Sequence, residues 1–152
     1  MQKSTPIFLL ASERSGSNLL RSLMGNHSMV SAPVAPHLMD TFYPVRYIYG
    51  NLQQPENKYT LFEDMKALAN HPYHDWQLQA AFNHDASTKE QTNSMISIMD
   101  YAYRKKAEQD GKKHYFSKGI HNFNYITPLR AELPHIKFVY LIRDPRDHVA
   151  SW

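Results

Sequence analysis

An unbroken apolar run, PIFLLAS at residues 6–12, is followed at once by a polar turn of small residues and then by a helical pattern. At that length, and before a helix start, the run reads as a buried parallel strand. The next stretch, SNLLRSLMGN, puts Leu19, Leu20, Leu23 and Met24 on one helical face, with Gly25 and Asn26 as stop residues. From about residue 31 to 57, Pro33, Pro36, Pro44, Gly50 and Pro55 are mixed with Phe42, Tyr43, Tyr47 and Tyr49. That mixture predicts extended loops carrying aromatic side chains, a candidate substrate wall. Three helices are then expected. The first, TLFEDMKALAN, has Thr60 and Glu63 in capping-box spacing and Leu61, Met65 and Leu68 on one stripe. The second runs from about Asp75 to Phe82. The third runs from about Ser87 to Gln109, with Ser87 and Glu90 as a further box, Met95, Met99, Ala102 and Tyr103 at helical spacing, and Gly111 ending it.

KKHYFSKGI offers a second short strand, NYITPLRAELP a short helix with Thr127 as N-cap and Pro128 at its first position, and IKFVYLI at residues 136–142 the clearest strand of all. Strand, helix and strand in this order predict right-handed crossovers and an α/β fold, a mostly parallel sheet with helices on both faces. Open sheets of that kind bind ligands at the carboxyl ends of their strands. Ser12 to Asn18 and Arg143 to Trp152 both fall there.

The 152 residues suit one domain, and 42% hydrophobic with 20% charged residues excludes a disordered class. Cysteine is absent, which removes disulfides, thiolate metal sites and cysteine nucleophiles and fits a reducing, cytoplasmic compartment. No apolar run reaches the length of a membrane span, and PIFLLA is too short for a signal peptide, so a soluble, untargeted protein is expected. The net charge of +3 is uneven: the two ends are positive and the middle is negative. The excess is too small for nucleic-acid binding and better suits a small phosphorylated ligand.

The turn after the first strand, Glu13-Arg14-Ser15-Gly16-Ser17-Asn18, is rich in donors and poor in side chains to pack. Backbone N–H groups from Ser15 to Asn18 at a helix start, with Gly16 allowing close approach, form a candidate anion cradle. The Walker pattern is missing, because Ser17 stands where its lysine would be. A capped turn without a ligand is the bland alternative. In FVYLIRDPRDHVASW, Arg143 ends a strand, Asp144 and Pro145 suit a helix start, and Ser151 lies two turns on. Here the bland alternative is mutual pairing of Arg143, Asp144, Arg146 and Asp147.

Taken together, the two stretches resemble the sulfotransferases that use 3'-phosphoadenosine 5'-phosphosulfate. Their [KR]-[ST]-G-[ST] loop after the first strand, which binds the 5'-phosphosulfate, is matched by Arg14, Ser15, Gly16 and Ser17, with Asn18 where threonine is more usual. Their strand-end arginine, with serine eight residues later, which binds the 3'-phosphate, is matched by Arg143 and Ser151. The resemblance implies a P-loop-like sheet, an amino-terminal portion of the family domain, and an acceptor-side insertion of helices and loops over residues 41–113. It implies 3'-phosphoadenosine 5'-phosphosulfate as donor, 3',5'-adenosine bisphosphate as product, no required metal, and a small-molecule or carbohydrate hydroxyl as acceptor.

For the base that deprotonates the acceptor, the resemblance puts His37 first and His121 as its rival, with Lys118 supporting the transferring sulfonate and Arg14 the departing oxygen. Imidazole suits proton removal near neutral pH, and Asp40 or Glu13 are further candidates. Either histidine could instead be an ordinary surface or core residue. His71, His74 and His84 lack a ligand-like spacing, so no metal site is expected. Two rival functions stand beside the first: a phosphotransferase with Asp144 on magnesium, and a non-catalytic nucleotide-binding fragment.

Overall fold

The computed structural model describes residues 4–82 and 93–150. The chain divides into two compact units, residues 1–33 with 112–152, and residues 34–111. The first unit holds ten of the seventeen basic residues against four acidic ones, so the positive excess of the chain lies there.

The first unit is built on a four-stranded parallel sheet: β1 (Pro6–Leu10), β2 (Val30–Ser31), β3 (His114–Ser117) and β4 (Lys137–Tyr140), in the order β2-β3-β1-β4. Leu9 and Phe8 point to opposite faces, yet both are wholly buried, as a parallel sheet covered on both sides requires. On one face Leu9, Ala11, Val30, Ala32 and Phe116 form a core to which α1 (Ser17–Gly25) adds Leu20 and Met24. On the other, Phe8 meets Tyr115 edge to face, with ring centroids 6.1 Å apart. The described helices of this unit are completed by a 3-10 turn (Asn122–Tyr125), α5 (Ile126–Glu132) and α6 (Pro145–Val149).

Three details of this unit differ from the sequence expectation. Leu19 and Leu23 are exposed, because α1 turns the Ser17, Leu20 and Met24 side to the sheet. Thr127 is not the cap: the preceding 3-10 turn moves the start of α5 back to Ile126, and the N-cap is Tyr125, whose side chain makes no capping bond to the helix start. Ser31, expected to open a loop, forms a two-residue strand with Val30 instead, pairing with Tyr115 and His114.

The second unit contains α2 (Leu38–Phe42), a 3-10 turn (Arg46–Tyr49), α3 (Pro55–Ala69) and α4 (Met95–Gln109). α3 starts earlier than the capping-box spacing suggests, with Gln54 rather than Thr60 as N-cap, because Pro55 takes the first position, where a missing N–H costs nothing. Thr60 then lies inside the helix and its hydroxyl donates to the Glu56 carbonyl. The cap of α4 is Ser94 paired with Ser97 in a reciprocal box. The expected Ser87–Glu90 box lies outside the described residues. Residues 75–82 are not helical. Asp75 and Gln77 hold φ of 48° and 49°, and the Asn70 side chain takes both the N–H and the C=O of Leu78. Trp76, Leu78 and Phe82 are buried at even-numbered positions of this irregular segment. Phe62, Phe82 and Tyr101 form a ring cluster with centroids 5.2–5.6 Å apart.

Candidate functional site

The site is built where β1 and β4 end side by side. Leu10 pairs with Tyr140, and the Leu141 N–H reaches the Leu10 carbonyl at 2.9 Å, so the segments after both strands leave from one edge of the sheet. The turn after β1 then folds on itself. Arg14 and Gly16 take left-handed conformations with φ of 58° and 91°, and the Ser15 hydroxyl donates to the Ser12 carbonyl at 2.6 Å. Ser15 and Ser17 are buried, while Arg14, Gly16 and Asn18 face outward.

Gly16 is the N-cap of α1 and supplies no side-chain acceptor, so the opening N–H groups of the helix have no capping side chain. No atom of the described residues lies within 4 Å of where a Gly16 side chain would begin. Such a bare, approachable helix start favours an anion through both the N–H groups and the helix dipole.

From the end of β4, Arg143 returns to this turn: its Nη1 donates to the Arg14 carbonyl at 2.8 Å. The bland pairing expected for the 143–147 cluster thus holds for only part of it. Asp144 caps α6 by accepting from the Arg146 N–H at 2.9 Å and binds the Arg146 guanidinium at 3.1 and 2.8 Å. Those bonds hold its carboxyl below the usual range. Arg143 turns to the Arg14 loop instead. Ser151 lies outside the described residues.

The end of β3 contributes Lys118 and His121. Burial pushes the Lys118 amine below its ordinary range, the nearby Arg21 guanidinium adds to the effect, and Glu13 from the turn opposes it. The Lys118 ammonium therefore shares its surroundings with Glu13, the first residue of the turn after β1. His121 is exposed, its ring 6.3 Å from Phe123. Sequence reasoning does not single out the residue beside it, Asn122, which is almost fully buried. Its Nδ2 donates to the Leu9 carbonyl at 3.0 Å and the Ser117 carbonyl at 3.2 Å. The only signal in the sequence is the glycine three residues earlier in SKGIHN.

His37 belongs to the second unit, where it precedes α2 in a left-handed conformation with φ of 54°. Its Nδ1 lies 3.7 Å from the Asp40 carboxylate. His74 lies in the same unit; its imidazole is held below the ordinary range, first by burial and then by His37 and His71. Among the described residues no group of three or more histidine and carboxylate side chains is placed to hold a metal. No helix among them is long and apolar enough to cross a membrane.

A family model described as "Sulfotransferase family" matches residues 6–152. No curated protein and no solved structure matches the chain.

Proposed function

The chain belongs to the sulfotransferase family, and on that basis we propose that it moves a sulfuryl group from 3'-phosphoadenosine 5'-phosphosulfate to the hydroxyl of a small-molecule or carbohydrate acceptor. The observation that carries this reading is the convergence of Arg143 on the Arg14 turn, which joins two sequence-distant anion-binding candidates in one place. An open helix start and a separate strand-end guanidinium suit a ligand with phosphates at two ends.

In this reading the N–H groups of Ser15 to Asn18 bind the 5'-phosphosulfate, with the Ser17 and Asn18 side chains and the Arg14 guanidinium. Arg143 and Ser151 hold the 3'-phosphate. The acceptor oxygen forms a bond to sulfur as the bond from sulfur to the bridging phosphate oxygen breaks, and the acceptor proton passes to a base, His37 or His121. Charge grows on the departing phosphate oxygen, where Arg14 and the turn amides stabilise it, while Lys118 offsets charge on the sulfonate oxygens. Magnesium has no assigned part, and the Asp144 carboxylate is committed to capping α6 and pairing with Arg146.

Transfer of sulfur-labelled sulfonate from the donor to a panel of phenols, alcohols and sugars tests the proposal. Label appearing in an acceptor, in the presence of chelator, supports it. Label staying in the donor with every acceptor class while bisphosphate still binds would leave a nucleotide-binding protein without transfer activity.

A further inference from the structure

The loop after β3 carries two of the proposed chemical groups, Lys118 and His121, and an unusual joint sits beside them. Asn122 is 3% exposed, and its side-chain amide donates to Leu9, near the end of β1, and to Ser117, the last residue of β3. The β1–β3 ladder ends at the pair Phe8 and Ser117. Beyond that pair the strands part, β1 toward the Arg14 turn and β3 toward Lys118. A single amide therefore ties the diverging strands just past their last rung. It supplies a donor to two carbonyls at a buried position, where an unmet acceptor is costly.

The fit is close enough to dictate a second residue. A Cβ on Gly119 would stand 2.4 Å from Asn122 Oδ1, 2.9 Å from Cγ and 3.1 Å from Nδ2. The Asn122 N–H also donates to the Gly119 carbonyl at 3.2 Å. Gly119 is needed for room, because the amide of Asn122 lies against its α-carbon. Lys118 directly precedes this glycine and His121 directly precedes this asparagine, so both side chains project from a loop whose two ends are locked by one contact.

Resting on the sulfotransferase reading, we infer that Asn122, seated on Gly119, is a positioning residue that fixes Lys118 and His121 against the donor-binding turn by tying the end of β3 to the end of β1. It touches neither donor nor acceptor. Its effect passes through the backbone of residues 118–121, and a displacement of about 1 Å at a reacting group is enough to cost up to a hundredfold in rate. The charged or titratable groups named for this region are Lys118 and His121 from the loop, Arg21 from α1 and Glu13 from the turn.

Two substitutions break the joint from opposite sides. Asn122→Ala removes the amide, and Gly119→Ala keeps the amide but displaces it. Both are expected to lower kcat by about tenfold to a hundredfold, with affinity for 3',5'-adenosine bisphosphate unchanged within about threefold because the turn and Arg143 remain. The double variant should lose no more than the worse single one, as expected of residues acting as a unit. Titration of Lys118 by carbon NMR after reductive 13C-methylation, assigned with Lys118→Arg, should show its amine moving up toward the ordinary lysine range in both variants. That last readout does not need turnover, so it separates this inference from the assigned activity. An unmoved Lys118 titration with kcat intact in Asn122→Ala would overturn the positioning role, as would a loss in kcat matched by an equal loss of bisphosphate affinity. If Asn122→Ala fails to fold, Gly119→Ala decides the question through the same two readouts. A wild-type protein that neither binds bisphosphate nor transfers sulfonate would sink the functional reading, and the Lys118 titration would still decide whether Asn122 sets that side chain.

Discussion

Arg143 Nη1 donates to the backbone carbonyl of Arg14 at 2.8 Å, across 129 positions of sequence. Two segments that are ordinary when taken separately are thereby made neighbours, and the positive charge of Arg143 is delivered to a helix start that carries no capping side chain. Arg143→Ala should weaken binding of 3',5'-adenosine bisphosphate by about 1.5–3 kcal/mol, the scale of one charge-assisted hydrogen bond. Arg143→Lys should recover part of that loss. Isothermal calorimetry measures both, and an affinity unchanged in the alanine variant would remove Arg143 from the site.

Gly16 holds a φ of 91° with open space around its α-carbon. Gly16→Ala therefore meets no clash, and its cost is that of a left-handed conformation for an L-residue, about 1–2 kcal/mol. Urea denaturation should show that loss, and bisphosphate affinity should fall with it as the turn relaxes. Gly16→Asn should be milder, since asparagine tolerates this conformation better. Equal stability of the alanine variant would mean the turn is not held as described.

The two histidines proposed as base belong to different units, His37 beside Asp40 and His121 beside Asn122. The variant that loses the base should show turnover reduced by roughly a hundredfold or more with bisphosphate binding intact. His37→Ala is expected to be that variant. A full loss in His121→Ala with His37→Ala near wild type would transfer the role, and two near-wild-type variants would remove both histidines from it.

His114 and His74 give the protein a stability that depends on pH in a definite direction. His114 Nδ1 accepts the Thr5 N–H at 3.0 Å, which requires that nitrogen to be unprotonated, and burial holds the group below its ordinary range, with Lys113 and His27 adding to the effect. His74 is lowered in the same sense by burial, then by His37 and His71. The unfolded chain takes up protons near pH 6.5 while the folded chain resists them, so stability falls as pH drops below about 6.5 and levels off above it. Urea midpoints should fall between about pH 7.5 and about pH 5.5, on either side of that value, and His114→Gln should reduce the slope. A midpoint that holds or rises on acidification would contradict the assignment.

Much of the first unit is legible in the sequence because its signals are local. PIFLL and KFVY are apolar runs at strand length, the Asp144-Pro145 pair marks a helix start, and the small residues of the Arg14 turn stand out against packed neighbours. The second unit is less legible for identifiable reasons. Residues 75–82 bury Trp76, Leu78 and Phe82 at even-numbered positions, and the positive φ at Asp75 and Gln77 that breaks the expected helix has no glycine to announce it. Thr60 has capping spacing, but Pro55 offers the better start. At the site, the donors of the turn and the strand-end arginine stand out in the sequence, and the resemblance to a family pairs them. The contact of Arg143 with Arg14 and the joint of Asn122 on Gly119 cannot, since each depends on strands brought together by the parallel sheet. The order β2-β3-β1-β4 puts β1 between the two strands that lead to Lys118 and Arg143, and no local pattern states that order.

In the proposed function, this edge of the sheet grips a doubly phosphorylated adenosine without a metal ion. Calorimetric titration with 3',5'-adenosine bisphosphate in chelator, set beside ATP with magnesium, tests it most directly. Saturable binding of the bisphosphate is expected to survive chelation and to be lost in part in Arg143→Ala, with ATP and magnesium the weaker ligand. Binding of ATP with magnesium and none of the bisphosphate would contradict it.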